Sequence, residues 1–259
     1  MTHKGKIIGV SLGPGDPGLI TVKGLQALQR ADKIYYPASS QPAAAGHLPV
    51  AAPSPAAAGH QSPAITSYSL SILQHYGLDP AKLHPVLLEM SADRAHNLQA
   101  YADTFGKMRT DCNQGLTVTF VSEGDISFYS TFVHLLRHIH AEHLPVEIIA
   151  GVPAFLAAAA AHTEPLATLR EKIAIIPLLD DSRDLEKYLL QFHTVVLIKV
   201  RHAMVHVMPI VQAGMATLLY SERVSTPGQL LSRDAVAIAQ HQPPYFSLII
   251  LKSNLCGLV

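Results

Sequence analysis

Short apolar runs alternate along this chain with segments whose apolar residues recur at helical spacing. The run Ile7-Ile8-Gly9-Val10 predicts a buried strand, and the apolar residues from Leu19 to Leu28 predict a helix after it. The same alternation continues beyond this first pair. Strands are predicted over residues 33–36, 84–88, 116–121 and 146–150, and helices over residues 63–76, 93–108, 128–143 and 151–163.

Residues 163–170 carry Pro165 and few large apolar side chains, which predicts a connection between two domains, residues 1–164 and 170–259. Strands that alternate with helices predict α/β layers in both domains. The apolar last strand suits either a sheet interior or an antiparallel place at a sheet edge. In the second domain, strands are predicted over residues 173–177, 195–200, 217–220 and 245–251, and helices over residues 182–191 and 205–213.

A low-complexity segment of Ala, Pro, Gly and His interrupts the first domain at residues 39–62. It contains the sequence Pro-Ala-Ala-Ala-Gly-His twice, at residues 42–47 and 55–60. Such a composition cannot bury enough apolar area to offset the entropy of ordering it. We expect a mobile insertion in a surface loop, either a lid or a passive duplication.

The charge balance argues against two classes of partner. Nineteen basic residues match nineteen acidic ones, which disfavours nucleic acid and a polybasic membrane surface. Cys112 and Cys256 are isolated in sequence and favour a reducing compartment. We expect no leader peptide and no membrane span, because no segment reaches the ~18 apolar residues that a span needs. The expectation is a cytoplasmic enzyme or binding protein.

Four of the fifteen histidines cluster, at His134, His138, His140 and His143. His134 and His138 are four residues apart, so they share one helix face and could bind a metal. The cluster lacks the His-Glu-x-x-His arrangement of a metalloprotease. We expect a solvated helix face and no metal.

The turn after the first strand, residues 13–18, matches Gly-x-Gly-x-x-Gly but is unsuited to phosphate. A phosphate site needs backbone N–H donors that point at the anion. Pro14 and Pro17 have no N–H, and Asp16 would place a carboxylate beside the phosphates. No Gly-Lys-Ser/Thr follows, which excludes a P-loop. The turn is either structural or brings the backbone close to a ligand that lacks phosphates.

Four further segments stand, like this turn, directly after predicted strands. In open α/β sheets, ligands bind at the carboxyl ends of the strands. Five such segments in series suggest one cleft between two domains. The other four segments are residues 123–129, 151–154, 199–202 and 220–223.

The charged residues in these segments have two interpretations each. Glu123 and Asp125 flank Gly124, which lets a ligand approach the backbone closely. One of the two carboxylates could therefore bind a ribose hydroxyl or an ammonium group. Alternatively, Asp125 caps a helix that begins near Ile126. Residues 199–202, Lys-Val-Arg-His, could meet an acidic substrate or form a polar surface edge.

Several of these motifs together resemble one family, the tetrapyrrole (corrin/porphyrin) methyltransferases. The resemblance runs end to end outside the insertion. It rests on Gly-Pro-Gly-Asp-Pro from Gly13 with Leu-x-Thr and Ala-Asp after it, on Glu-Gly-Asp from Glu123, and on Gly-Val-Pro-Ala from Gly151. The C20-methyltransferase branch, which acts on precorrin-2 or cobalt-factor II in cobalamin synthesis, is similar at residues 35–40, 89–93, 123–125, 128–132 and 220–223.

This resemblance implies a class III methyltransferase with two α/β domains, usually a homodimer, that binds S-adenosyl-L-methionine folded in the cleft between the domains. This methyl donor has no phosphates, which agrees with the interpretation that the turn at residues 13–18 does not suit phosphate. Two positions depart from the family, because Pro153 replaces a small Thr or Ser and the charged Lys199 replaces an apolar residue. By resemblance, the cofactor contacts Pro14, Glu123, Gly124 and Asp125, and its pocket is lined by Phe128, Pro153, Ala154 and Lys199.

The implied reaction moves a methyl group from a sulfonium to an electron-rich carbon of a small-molecule tetrapyrrole. Positioning both reactants in a dry site could supply ~7–11 kcal/mol of the barrier. Arg201 and Arg223 are candidates for binding the acidic side chains of the substrate. Tyr220 or Glu222 could accept the proton that C20 loses after transfer. A methyltransferase of the uroporphyrinogen III type and a non-catalytic adenosyl-ligand binding module are the alternatives.

Overall fold

The computed structural model describes residues 5–39, 67–88 and 94–257. The chain forms two compact units, Met1–Pro153 and Ala154–Val259, each with its own sheet. The predicted fold class, with two α/β units, is confirmed. The second unit begins at Ala154, before the connection predicted at residues 163–170. Apart from Ser39, the predicted insertion lies outside the described residues, as does the motif at residues 89–93.

In its described residues, the first unit is built on a parallel sheet of five strands. They are β1 (Lys6–Ser11), β2 (Lys33–Ala38), β3 (Leu83–Leu87), β4 (Thr117–Ser122) and β5 (Val146–Ile149). Their order is β3-β2-β4-β1-β5, and every pair is parallel. The carboxyl ends of β4, β1 and β5 therefore lie side by side at one edge. The helices of this unit are α1 (Val22–Arg30), α2 (Tyr68–His75), α3 (Arg94–Asn113) and α4 (Phe132–Ala141).

Apolar side chains cover both faces of this sheet, as a parallel sheet between helices requires. Alternate residues of β1 point to opposite faces, so Ile7 joins a buried cluster with Phe120 and Phe132, whereas Ile8 joins another. Gly9 makes room for an aromatic ring, because a Cβ there would lie 2.9 Å from the Phe132 side chain. The turns that follow β1 and β4 therefore begin at strands whose side chains are closely packed.

Over residues 154–257, the second unit has a mixed sheet of five strands. They are β6 (Ile173–Ile176), β7 (Thr194–Ile198), β8 (Ala216–Glu222), β9 (Leu230–Ser232) and β10 (Ser247–Ser253), in the order β6-β7-β10-β8-β9. β10 runs antiparallel to both of its neighbours, β7 and β8. The last strand is therefore interior and antiparallel, which combines the two alternatives from the sequence. The helices of this unit are α5 (Ala154–Ala161), α6 (Ser182–Gln191), α7 (Met204–Gln212) and α8 (Ala235–Ala239).

Two helices begin later than their apolar spacing predicts. The helix predicted from residue 128 begins at Phe132, since Tyr129 has a φ of 49° that a right-handed helix cannot hold. The helix predicted from residue 151 begins at Ala154, directly after Pro153, because a proline disfavours helical geometry in the residue before it. In both cases the residues before the helix remain in a turn at the end of a strand.

The second unit also departs from the predicted pattern at three places. The strand predicted over residues 195–200 ends before Lys199, which adopts left-handed geometry with a φ of 59°. β9 and α8 are not predicted at all, because they are 3 and 5 residues long, too short to show periodicity. Among the described residues, no helix combines the length and the apolar character needed to cross a membrane.

Candidate functional site

Backbone hydrogen bonds join the turns after β1 and β4 where these strands end. The N–H of Gly13 donates to the carbonyl oxygen of Gly124 at 3.2 Å, and the N–H of Gly124 donates to that of Gly13 at 2.8 Å. Both glycines have left-handed φ angles, 80° and 68°, a region that residues with a Cβ rarely adopt. Two of the segments predicted to converge, residues 13–18 and 123–129, are therefore in contact.

Ser11, the last residue of β1, connects these turns to the turn after β5. Its Oγ donates to the carbonyl oxygen of Ile149 at 2.8 Å and accepts from the N–H of Ile126 at 2.9 Å. Gly151 lies so close that a Cβ there would be 2.3 Å from the Cβ of Ser11. The third predicted segment thus joins the other two. We call residues 13–18, 123–129 and 151–153 the glycine turns.

Asp125 ties the β4 turn to the β5 turn. One carboxylate oxygen accepts from the N–H of Gly151 at 2.7 Å, and the other accepts from the N–H of Ser127 at 2.9 Å and from its hydroxyl. Burial alone would raise the pKa of Asp125, but these hydrogen bonds outweigh it and hold the pKa below its ordinary value. The alternative of a helix cap near Ile126 is wrong, because α4 begins at Phe132.

Glu123 and Phe128 belong to the same turn and contact other protein groups. Oε1 of Glu123 accepts from the N–H of Ser69 at 3.1 Å and from its hydroxyl at 2.6 Å, so it holds the first turn of α2. The Phe128 ring meets the Tyr129 ring edge-on, with centroids 4.6 Å apart. The remaining predicted cofactor residues of this unit, Pro14 and Pro153, are partly buried in the turns after β1 and β5.

In the first glycine turn, a carboxylate of the turn itself binds a backbone N–H group that a phosphate site would need. Oδ1 of Asp16 accepts from the N–H of Gly18 at 2.7 Å and opens a short 3-10 turn, Pro17–Leu19. That N–H is therefore already occupied, and Pro14 and Pro17 in the same turn have no N–H to donate. This geometry agrees with the expectation that the turn does not suit phosphate.

A second group of predicted residues lies at the carboxyl ends of β7 and β8. Both strands run antiparallel to β10, so these ends share one edge of the sheet with the start of β10. Ser247, the first residue of β10, pairs with Glu222, and the next residue pairs with Ile198. Lys199 and Arg223 follow the two strands, with left-handed φ angles of 59° and 44°. Lys199, Arg201 and His202 follow β7 at this edge, and their side chains are exposed to solvent.

Tyr220 and Glu222, the two candidates for a base, are bonded to each other inside the second unit. The Tyr220 hydroxyl donates to Oε1 of Glu222 at 2.5 Å, and the two residues are 0% and 1% exposed. Burial, followed by the bond to Glu222, raises the pKa of Tyr220 well above its ordinary value, so the phenol stays neutral. Arg223 Nη2 donates to the other Glu222 oxygen at 3.3 Å.

His241 completes this group, and sequence reasoning missed it. Its Nε2 contacts the same Glu222 oxygen as the Tyr220 hydroxyl, and its ring stands edge-on to the Tyr220 ring. Its side chain is 35% exposed. His241 follows α8, the short helix that shows no periodicity, and no motif surrounds it. We call Tyr220, Glu222, Arg223 and His241 the carboxylate cluster.

The opposite face of β8 carries a buried histidine. Nε2 of His162 lies 3.1 Å from the carbonyl oxygen of Tyr220 and 3.1 Å from Oγ of Ser221. Because a carbonyl only accepts, Nε2 carries a hydrogen and donates it. Burial lowers the pKa of His162, which keeps the ring neutral. His162 therefore joins the end of α5 to β8.

The two histidines of α4 stack on aromatic rings of α3. His134 lies on Tyr101 and His138 on Phe105, with ring centroids 5.4 Å and 5.2 Å apart. The helix face expected to be solvated thus packs partly against a neighbour. Within residues 5–39, 67–88 and 94–257, no group of three His, Cys, Asp or Glu side chains is arranged to hold a metal ion.

Comparison with known proteins assigns these features to one family. A sequence model of the tetrapyrrole (corrin/porphyrin) methylases matches residues 6–237, which is most of the chain and includes parts of both units. The family that the sequence motifs resemble is thereby confirmed.

Two curated relatives align with almost the whole chain. The cobalt-precorrin-2 C(20)-methyltransferase of Salmonella typhimurium is 29% identical over 255 residues, covering 96% of this chain and 97% of that protein. The precorrin-2 C(20)-methyltransferase of a Sinorhizobium species is 26% identical over 257 residues, covering 95% of each. In fold, the chain resembles a solved structure of uroporphyrin-III C-methyl transferase from Thermus thermophilus in complex with S-adenosylhomocysteine. The TM-score is 0.61 at 19% identity, with 96% of this chain and 97% of that one covered.

Proposed function

The chain belongs to the tetrapyrrole (corrin/porphyrin) methylases, and on that premise we propose that it transfers the methyl group of S-adenosyl-L-methionine to C20 of precorrin-2, or of its cobalt form, in cobalamin biosynthesis. Two relatives that align over nearly its whole length are named for C20 methylation. One is named for the cobalt substrate and the other for the metal-free one, so both forms remain candidates.

The observation that carries this proposal is the geometry of the glycine turns. The Gly13–Gly124 bridge brings backbone without side chains to the edge where three strands end. S-adenosyl-L-methionine has no phosphates. The turn at Asp16 does not suit a phosphate, because the Asp16 carboxylate takes a backbone N–H of this turn. A carboxylate has about four lone-pair positions, and Asp125 uses three of them within the protein. One position is left for a hydroxyl or ammonium donor, so the residues present fit the cofactor.

We assign cofactor binding to the residues that the family resemblance marks. Asp125 is the one that accepts a hydrogen bond from the cofactor, and Glu123 supports the turn through Ser69. Gly124 allows the close approach that this bond needs. The other assigned residues are Pro14, Phe128 and Pro153 in the glycine turns, and Ala154 and Lys199 in the second unit.

We assign the acidic side chains of the tetrapyrrole to the basic residues at the carboxyl ends of β7 and β8. Arg201 is exposed and can meet a carboxylate in a bidentate pair. The Arg223 side chain is only 22% exposed and is bonded to Glu222, so its guanidinium is held in one direction. These positive charges suit a substrate with several carboxylates.

We also infer a homodimer, a cytoplasmic location, and no nucleic-acid or membrane partner. The homodimer follows from the family resemblance. Cys112 and Cys256 are free thiols, as suits a reducing compartment, and the equal numbers of acidic and basic residues give no footprint for nucleic acid. Analytical ultracentrifugation and cell fractionation test the first two.

The direct test is transfer of a labelled methyl group. The protein is incubated with S-adenosyl-L-methionine carrying a ¹³C methyl group and with precorrin-2, cobalt-precorrin-2 or uroporphyrinogen III. A labelled methyl at C20 of the first or second, located by NMR, supports the proposal. Labelling at another carbon favours a different tetrapyrrole methyltransferase. Donor binding without transfer to any of the three favours an adenosyl-ligand binding module.

A calorimetric comparison tests the cofactor separately from the reaction. We expect S-adenosylmethionine and S-adenosylhomocysteine to bind, and NAD and ATP not to. In the first glycine turn Pro14 and Pro17 have no N–H, and the Asp16 carboxylate takes the N–H of Gly18 and would repel a phosphate. Tighter binding of NAD or ATP than of the adenosyl-sulfur ligands would contradict the assignment of the glycine turns.

A further inference from the structure

The carboxylate cluster contains a carboxylate–histidine pair, Glu222 and His241, at the edge assigned to the tetrapyrrole. We propose that His241, held by Glu222, accepts the proton that the methylated carbon releases. This inference rests on the proposed function and deepens it, because it names the residue that finishes the reaction.

The cluster determines which ring nitrogen of His241 carries the hydrogen. Glu222 already accepts from the Tyr220 hydroxyl and from the Arg223 guanidinium, which has only donors. A carboxylate surrounded by donors is an acceptor, so Nε2 of His241, which contacts it, is the N–H. Nδ1 of a neutral ring then keeps its lone pair. The two nitrogens point away from each other, so this lone pair faces away from Glu222.

The other members of the cluster are unsuited to this task. Tyr220 is 0% exposed, and its phenol is a neutral donor to Glu222. Glu222 is 1% exposed and has its oxygens directed at protein donors, so a large macrocycle has no access to it. His241 combines an available lone pair with a side chain that is 35% exposed. The two residues first considered as bases therefore support the base and do not replace it.

The step balances in atoms and electrons. When bound, S-adenosyl-L-methionine supplies a methyl group whose bond to sulfur breaks with its electron pair left on sulfur. An electron pair of the macrocycle forms the new carbon–carbon bond. The hydrogen on that carbon then leaves as a proton to Nδ1 of His241, and the electrons of the C–H bond return to the conjugated system. Imidazolium beside the Glu222 carboxylate is the protein product, and solvent regenerates the neutral ring.

The charges around His241 suit a base that must be neutral before the reaction and charged after it. The titratable and charged groups that the structure places against the ring are Glu222 and Tyr220, with Arg223 on the far oxygen of Glu222. The carboxylate stabilises the imidazolium, and the guanidinium partly offsets this effect. Both charges lie closer to the ring than the distance over which dissolved ions screen a charge, so both act on the ring.

The first test replaces the base and keeps its hydrogen bond. His241→Gln retains an N–H donor for Glu222 but has no titrating nitrogen. We expect turnover with precorrin-2 or cobalt-precorrin-2 to fall by about a hundredfold or more, with calorimetric affinity for S-adenosylhomocysteine unchanged. Added imidazole should restore part of the rate, and deuterium at C20 should slow the variant more than the parent. His206→Gln, at a partly exposed histidine of α7, is the matched control and should keep full turnover.

The second test needs neither substrate nor cofactor. The ¹⁵N spectrum of the ligand-free protein reports which nitrogen of each histidine carries hydrogen, and His241→Gln identifies the signal. We expect the Nε2–H form for His241, and we expect Glu222→Gln to reduce the population of that form, because the carboxylate that holds the Nε2 hydrogen is gone. An Nδ1–H form, assigned through His241→Gln, would overturn the proposal whatever the turnover of that variant.

The outcomes separate this inference from the proposed function. A parent protein that methylates neither substrate overturns the function, and the proton acceptor with it. A parent that methylates C20, beside a His241→Gln variant with the same rate and the same pH profile, overturns only the role of His241. A large loss of rate with rescue by imidazole supports it.

Discussion

Asp125 accepts three hydrogen bonds within the glycine turns, and replacing it by asparagine measures what its charge and its second oxygen contribute. An amide has one oxygen, so its NH₂ group would meet the N–H of Gly151 or of Ser127. We expect Asp125→Asn to lose about 1–3 kcal/mol of unfolding free energy, the cost of an unsatisfied buried group. Donor binding should weaken as well. Urea unfolding and calorimetry with S-adenosylhomocysteine check the two effects.

Asp16→Asn is the control for this change. Asp16 accepts a similar short bond, from the N–H of Gly18, but it is exposed and asparagine keeps the oxygen that accepts it. If Asp125→Asn and Asp16→Asn lost equal amounts of unfolding free energy, the role of Asp125 in joining the β4 turn to the β5 turn would be refuted. The bond between Asp125 and the N–H of Gly151 spans 26 residues, so no local sequence pattern reports it.

His162 makes the stability of the protein depend on pH. Burial lowers its pKa below the ordinary 6.5, so the unfolded chain binds the proton more readily than the native one. Its contribution to stability is complete above pH 6.5 and is lost as the pH falls through the native pKa. We expect His162→Gln, which keeps a donor for Tyr220, to show a flatter acid slope of unfolding free energy, by up to about 1.4 kcal/mol per pH unit.

His140 provides the comparison for this pH series, because it is exposed on the surface of α4. Urea unfolding of His140→Gln between pH 5 and 8 should follow the parent curve. A His162→Gln curve that also follows the parent would show that the buried ring does not control the acid slope.

At the scale of elements, the packing of β1 against the β5 turn leaves no space for a methyl group at Gly151. A Cβ there would lie 2.3 Å from Ser11 Cβ and 3.0 Å from the carbonyl oxygen of Gly124. We expect Gly151→Ala to cost about 1–3 kcal/mol or more, the range for overpacking, and to weaken S-adenosylhomocysteine binding by moving the turns apart. Thermal unfolding and calorimetry measure both.

Gly106 is the control for the substitution at Gly151, because it borders open space. It lies inside α3 and a Cβ there meets nothing within 4 Å, so Gly106→Ala should stabilise by about 0.5–1 kcal/mol through helix propensity. Two alanine substitutions of opposite sign would distinguish close packing from a general response to losing a glycine. A neutral Gly151→Ala would mean that the turns can relax.

Most of the longer elements were predictable because their apolar residues recur at a fixed period, as in β1 and β4. The starts of α4 and α5 were not, since they depend on the left-handed Tyr129 and on the position of Pro153. β9 and α8 are too short to show a period. His241, which comes with α8, was invisible for that reason, although its partners Tyr220 and Glu222 stood in a recognised segment.

At the scale of the whole molecule, the segment from residue 42 to 60 offers the simplest deletion, although it lies outside the described residues. Ser67 and Pro37, which lie on either side of this segment, are held together, because Ser67 Oγ donates to the carbonyl oxygen of Pro37 at 2.6 Å. Loop closure entropy changes by only about 0.6 kcal/mol per doubling of length. We expect deletion of residues 42–60 to leave the unfolding free energy unchanged within about 1 kcal/mol in urea titrations.

Turnover of the same deletion variant decides between the two roles left open for the insertion. Unchanged turnover supports a passive duplication, and a strong loss at full stability supports a substrate lid. A stability loss of several kcal/mol would contradict both, since it would require the segment to contribute to a core.

The strand orders show where pattern analysis reaches its limit. The five segments that follow strands were predicted to form one cleft between two domains, which stays a prediction. Three of them contact one another in the first unit, and two lie at the same end of the second sheet, because parallel strands end at a common edge. The orders β3-β2-β4-β1-β5 and β6-β7-β10-β8-β9 could not be read from the chain. They depend on which strand faces pack against one another, and the apolar pattern of a single strand does not specify this.

The interior position of β10 has a consequence for biosynthesis. β10 is made last among the described strands, yet it lies between β7 and β8. While the ribosome adds residues 247–253, the facing edges of β7 and β8 have no partner strand, and such unpaired edges are templates for pairing with another chain and for aggregation. The first unit has all five of its strands once Ile149 has emerged. A nascent chain stalled just before β10 should therefore resist protease in its first unit and be cleaved throughout its second.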